Sequence, residues 1–407
     1  MNMTTHPLPF SQGKTLCMAL TASAALLLPG IGHAASTCAE VRAQNPFAGD
    51  GTYTISVGNQ PVDVYCHDMA GTPREYLTLP KTGSTTNYAH YGQSPNTSAG
   101  GLKSWYTKAR FDPATLALNL GDTTFSTSEG WVRYGTNYVY SQGLGGAADC
   151  AAPHSQTGRG NIDLTGTPFD IVPNQFQLNG YLPAGSATPS GSQIVNLAAG
   201  GYCGAIGTAD GRLQLTLRPS TCAKVREQNP AASDGTYVLS LVHGTRDVQV
   251  YCHDMAGTPR EYLTLPKTGS TTNYAHYGQS PNTSAGGLKS WYTKARFDPA
   301  TLALNLGDTT FSTSEGWVRY GTNYVYSQGL GGAADCAAPH SQTGRGNIDL
   351  TGTPFDIVPN QFQLNGYLPA GSATPSGSQI VNLAAGGYCG AIGTADGRLQ
   401  LTLQPVL

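Results

Sequence analysis

Charge is scarce in this chain: 11% of its 407 residues are charged, and 22 lysines and arginines nearly balance 24 aspartates and glutamates. A surface so close to neutral has no field to draw in a polyanion, so nucleic acid is not an expected partner. No run of like charge or simple repeat marks a disordered tail. The one long apolar run, Leu16 to Leu28, is too short to cross a bilayer, and no membrane span is expected. Catalytic motifs are missing as well: there is no HExxH pair for a peptidase zinc, no GxSxG nucleophile elbow and no CxxC zinc knuckle. Glu75, Asp112, Asp122, Glu129 and Asp163 supply carboxylates, but their spacing selects no acid and base pair for glycoside cleavage.

What the chain does have is glycine (52), proline (26) and tyrosine (22, against 10 phenylalanines), the balance of a β-rich, turn-rich extracellular protein. Lys14 ahead of the apolar run, and Gly32-His33-Ala34 after it, read as a signal peptide over residues 1–34. The mature protein is therefore expected to be soluble and secreted or extracellular, with the periplasm as its compartment in a Gram-negative host.

The dominant feature is a duplication. Val64 to Leu217 returns unchanged as Val250 to Leu403, and a looser match joins Cys38–Cys66 to Cys222–Cys252, two residues longer in the second copy. A unit of this size is a whole domain rather than a solenoid repeat. Tyr53, Ile55 and Val57 alternate on one arm and Val62, Val64 and Cys66 on the other, with Gly58-Asn59 between them, which is a hairpin pattern. An even insertion at its tip, "VHGTR" in the second copy, keeps every downstream side chain on its face.

Further strand signals fall at 75–79, 115–120, 131–135, 137–141, 161–166, 169–172, 176–182, 192–197 and 213–217. Only 37–45 and its twin look helical, with Thr37 or Thr221 as cap. The expected fold class is mainly β with one short helix per repeat (α+β), built as two tandem near-identical disulfide-stapled domains. The polar stretch Thr82 to Gly101 reads as a loop, and its Tyr88 and Tyr91, with Tyr274 and Tyr277, are the candidate binding residues because amphipathic tyrosine is efficient contact area.

Of nine cysteines, Cys17 leaves with the signal peptide; Cys38, Cys66, Cys150 and Cys203 match Cys222, Cys252, Cys336 and Cys389. An even set in an exported chain reads as disulfides. Four cysteines allow three pairings. Cys38 with Cys66 and Cys150 with Cys203 is favoured, because the first tethers the helix to the hairpin and the second closes a loop in the later strands.

His67-Asp68 and His253-Asp254 place imidazole beside carboxylate, a combination that ligates metal or moves protons. Neighbours on a strand point to opposite faces, however, so a metal site would need a turn after Cys66 and further ligands from His90 and His154, or His276 and His340. No cofactor is expected; zinc on these histidines is the alternative.

The blocks "C..VR.QNP...DGTY.......V.VYCHDM....P.EYLTL", "FDPATLALN" and "NIDLTGTPFDI", in this order, make each copy resemble the GON domain, over nearly its whole length. The opening through Met69 is also similar to the start of fibrinogen-like domains. With the signal peptide at 1–34, the resemblance implies GON-like domains at 36–219 and 220–407 and kinship with a module that closes certain secreted zinc metalloproteases of the thrombospondin-repeat type. There a separate domain holds the zinc on HExxH, so binding or targeting is the implied role. The reading is a secreted non-catalytic binding or adhesion protein, attached bivalently to an extracellular protein or glycan; a zinc metallopeptidase or metallopeptidase-associated protein is the alternative. Nothing in the sequence points to a homo-oligomer.

Overall fold

The computed structural model describes residues 34–151, 155–337 and 341–405, so the signal peptide read at 1–34 lies almost wholly outside the described residues. From Ala35 onward the chain forms one compact unit. Among the described residues each copy has one helix and sixteen strands.

Helix α1 (Cys38–Gln44) starts where Thr37 accepts the Glu40 N–H and stops where the Asn45 N–H closes on the Val41 carbonyl. The strands follow: β1 (Gly51–Val57), β2 (Gln60–His67), β3 (Arg74–Thr78), β4 (Tyr88–Tyr91), β5 (Leu102–Tyr106), β6 (Lys108–Asp112), β7 (Ala117–Asn119) and β8 (Ser126–Glu129). Then come β9 (Val132–Tyr134), β10 (Asn137–Val139), β11 (Ala147–Asp149), β12 (Ser155–Asp163), β13 (Phe169–Ile171), β14 (Phe176–Ser190), β15 (Ile194–Thr208) and β16 (Arg212–Leu217).

Two seven-stranded sheets result. One runs β1-β2-β3-β6-β7-β16-β13, and the other β11-β15-β12-β4-β5-β8 with β14 on the outer side of β15. A single core joins them: Val62, Val64, Phe111, Leu213 and Leu215 from the first sheet meet Tyr106, Ile162, Leu197 and Ile206 from the second. The second copy repeats both sheets and the core.

The hairpin β1–β2 turns through Gly58 and Asn59, both at positive φ (54° and 58°), the mirror-image turn that suits strand twist. In the second copy Gly235–Leu241 pairs with Arg246–His253 around the longer tip, and Tyr237 still faces Val250 as Tyr53 faces Val64. The insertion is thus absorbed in the turn.

Where the strands differ from the sequence reading, tertiary pairing is the reason. The supposed loop at 82–101 contains β4, whose four residues are held by β5, β12 and β11 despite polar flanks. β14 continues far beyond 182 through Pro183 and Pro189, which a strand tolerates here because it pairs on one side only. On β12, Gly158 runs so close to β11 that a Cβ there would lie 2.3 Å from the Ala148 carbonyl oxygen.

Four disulfides staple the copies. Cys38–Cys66 fastens α1 to β2 and Cys150–Cys203 ties the end of β11 to β15, with Cys222–Cys252 and Cys336–Cys389 as twins. Loops of these sizes contribute about 3–4 kcal/mol each by restricting the unfolded chain. Asp149, fully buried beside Cys150, accepts bonds from Ala151 N (2.8 Å) and from both N and Oγ1 of Thr157 (2.7 Å each). Its twin Asp335 is opposed by burial, yet the Ser341 hydroxyl and the Thr343 donors outweigh that and hold its carboxyl below the usual range.

The copies touch at residues in which they differ. Arg218, largely buried, bridges Asp170 (3.3 Å) and Asp247 (2.7 Å). Lys224 donates to the Gly58 carbonyl (3.1 Å), and His243 lies 3.2 Å from Asp63. The counterparts of Arg218 and Lys224 are Gln404 and Glu40.

Replacing Gly158 and Gly344 together by alanine should lower unfolding stability by about 1–3 kcal/mol per copy in urea titrations, because the added methyl meets backbone. The same change at Gly207 and Gly393, where nothing lies within 4 Å, should stay within about 0.5 kcal/mol. A depressed folded pKa at Asp335 means its contribution is full above the unfolded value of about 3.9 and is lost as pH falls through the folded value. Urea midpoints measured from pH 7 down to about pH 2 should therefore fall below about pH 4. Asp335→Asn should be weaker at neutral pH and change less over that interval.

Candidate functional site

The histidines proposed as metal ligands are tied into turns. His67 closes β2 with Nδ1 2.8 Å from Asp50 Oδ2, and Asp50 also accepts the backbone N–H groups of Asp68 (3.1 Å) and Met69 (2.8 Å). These bonds, the Met69 N–H foremost, keep the Asp50 carboxyl below its ordinary value. Asp68 swings the other way, at φ 56°, and accepts the Thr72 N–H at 3.0 Å. The Cys-His-Asp run is therefore a turn clamp, and Asp234, His253 and Asp254 repeat it.

His90, half-buried on β4, has Nε2 3.0 Å from the Gly100 carbonyl oxygen, and burial pushes its imidazole below the usual value. His276 does the same beside Gly286. His154 and His340 lie outside the described residues. Among the described residues no group of three or more histidines, cysteines or carboxylates is gathered for a metal. Two of the carboxylates bond within the fold: Glu75 accepts the buried Cys38 N–H (2.7 Å), and Asp122 accepts the Tyr76 hydroxyl (3.1 Å).

Tyr88 and Tyr91, with their twins Tyr274 and Tyr277, lie on strands, which corrects the reading of Thr82 to Gly101 as a loop. They face a strand partner on each side of β4, and Tyr91 is buried with its hydroxyl donating to Cys150 Sγ at 3.0 Å. Burial raises the Tyr91 phenol to about 12. Tyr88 and Tyr274, half-buried, are raised by the same cause.

The exposed aromatics lie next door. β9 and β10 form a hairpin of their own, Val132 facing Val139 and Tyr134 facing Asn137. It hangs from the turn at 94–98: the Ser98 N–H donates to the Trp131 carbonyl (3.1 Å), the Trp131 N–H to Ser98 Oγ (3.0 Å) and the Arg133 N–H to the Asn96 carbonyl (2.8 Å). Val132 anchors it in a small separate core with Tyr91, Leu102 and Ala148, against which Cys150 packs.

Everything from Arg133 to Tyr140 is exposed. Tyr134, Tyr138 and Tyr140 are 56%, 47% and 62% accessible. Their rings are nonetheless held in place. Trp131 meets Tyr138 edge-on (5.0 Å), Tyr138 and Tyr140 lie nearly parallel (6.3 Å, 18°), and Tyr134 leans on Tyr91 (6.3 Å). Trp317, Tyr320, Tyr324 and Tyr326 repeat the arrangement. Beyond the disulfide, exposed Tyr181 contacts Tyr202 at 5.8 Å, with Tyr181 paired to Cys203 across β14–β15.

Sequence reasoning marked 131–135 and 137–141 as strands but did not see that both faces carry rings. The signal was the density of aromatics in "WVRYGTNYVYS" around a glycine turn. Such a surface offers stacking faces, amides and hydroxyls.

The GON domain family model matches residues 35–99 and 219–287. A relative, "A disintegrin and metalloproteinase with thrombospondin motifs gon-1" of Caenorhabditis elegans, is 31% identical over 159 residues, which cover 34% of this chain and 7% of that protein. The chain therefore spans only a small part of the curated relative it matches. No solved structure matches it. The GON-domain match therefore falls at the head of each copy, and it is made twice in this chain.

Proposed function

We propose that this is a secreted, non-catalytic binding protein that attaches through its two aromatic hairpins to an extracellular protein or glycan. The observation that carries the reading is that one compact unit presents the same exposed rings twice, at Trp131–Tyr140 and at Trp317–Tyr326. Exposed aromatics at this density on a soluble surface mark contact sites. Four disulfides suit an oxidising, extracellular setting.

The relative carries a metalloproteinase in its name, which supports a module associated with proteolysis. This chain has no HExxH of its own, so the part of that activity open to it is placement rather than cleavage. Two equal sites make the second contact intramolecular. If one hairpin binds with a Kd of about 100 µM and holds its twin at about 1 mM effective concentration, the pair binds roughly tenfold tighter than either alone.

Tyr138→Ala with Tyr140→Ala, made in the first copy, at Tyr324 and Tyr326 in the second, and in both, separates the cases. Retention on insoluble cell-wall and extracellular-matrix preparations should fall about tenfold or more in either single-copy variant and vanish in the full one. A loss of about twofold per copy would show independent sites and contradict bivalent attachment.

A further inference from the structure

We infer that each hairpin is a subsite for an uncharged polysaccharide, whose sugar rings lie by their C–H faces on Tyr138 and Tyr140 and on Tyr324 and Tyr326. This rests on the attachment reading above and names its ligand class. The hairpin from Trp131 to Ser141 carries one charge, Arg133, whose guanidinium already lies 3.5 Å from Asn96 Oδ1. An anionic polymer would find no array of cations to match its repeat.

Apart from Arg133, which faces Tyr138 across the two strands, what surrounds the rings is neutral and polar. Thr136 and Asn137 are exposed at the turn, and each tyrosine ends in a hydroxyl. A sugar ring has the complementary pattern, with apolar C–H groups on its faces and hydroxyls around its rim. A peptide fits less well. The hairpin's free edge, β10, is three residues long, since β9 is already occupied by the turn at 94–98, so strand addition would gain few backbone bonds.

The rings are also fixed before anything arrives. Trp131 braces Tyr138 edge-on, and Tyr138 and Tyr140 stand nearly parallel with centroids 6.3 Å apart. Pre-set rings lose little rotamer freedom on binding. Two adjacent, similarly oriented faces suit a chain of rings better than a single sugar, so the ligand is an oligomer.

The test titrates the full mature protein with neutral hexasaccharides (β-1,4-glucan, β-1,3-glucan, chitin and mannan fragments), polygalacturonate and type I collagen, following intrinsic fluorescence and calorimetry. At least one neutral hexasaccharide should bind. Tyr138→Ala with Tyr324→Ala should weaken it by about tenfold or more, whereas Tyr138→Phe with Tyr324→Phe should keep most of the affinity, because the ring carries the contact. Thermal melting should be the same for all variants, as these side chains lie on the surface.

Binding confined to polygalacturonate or collagen, yet lost in the alanine variant, would overturn the ligand class and leave attachment through the hairpins standing. Binding of no neutral glycan, or binding indifferent to the alanine changes, overturns the inference. Retention on the crude preparations then decides separately whether the hairpins attach to anything.

Discussion

The second disulfide of each copy is the constraint on which the exposed surface depends. Cys150–Cys203 joins the end of β11 to β15, and three features converge on that joint. Asp149 gathers the backbone on either side of it from a buried position. Tyr91 reaches its sulfur from β4 and supports Tyr134 with its ring. The small core of Tyr91, Leu102, Val132 and Ala148 then carries the aromatic hairpin. That core of four residues is small beside the hairpin's three exposed tyrosines, so covalent closure takes the place that apolar area fills in the main core.

The first disulfide does comparable work at the other end. A seven-residue helix is too short to persist by itself, and Cys38–Cys66, with Glu75 accepting the Cys38 N–H, fixes it to β2 and β3. His67 and Asp50 then clamp the turn just beyond Cys66. The run of cysteine, histidine and aspartate that suggests chemistry in the sequence is bonded into that turn in the fold.

Much of the architecture was legible because it is local. Thr37 as cap, Gly58-Asn59 as turn and the alternation through Val62, Val64 and Cys66 each follow from a few adjacent residues, and the duplication needs only a comparison of the chain with itself. What escaped notice is set by distant partners. "YAHY" becomes a strand because three other strands pair with it, and "LPAGSATPS" stays extended despite two prolines because it lies on an edge. Exposure is equally non-local: Tyr91 and Tyr134 have the same chemistry, yet Tyr91 is buried among Leu102, Val132, Ala148 and Cys150 while Tyr134 stays open. The divergent residues Arg218, Lys224 and His243 likewise acquire meaning once the two copies are seen to meet there.

Because Cys150 and Cys336 sit in identical sequence, as do Cys203 and Cys389, the decisive measurement is thiol labelling of the chain from Ala35 onward with Cys336 and Cys389 both changed to serine. If sulfur closes each copy on itself, the denatured variant takes up no alkylating label until it is reduced, since Cys150 and Cys203 still hold each other. Two labels before reduction, seen by intact mass, would mean that these cysteines bond across the copies or not at all, and the support beneath the aromatic hairpin would be gone.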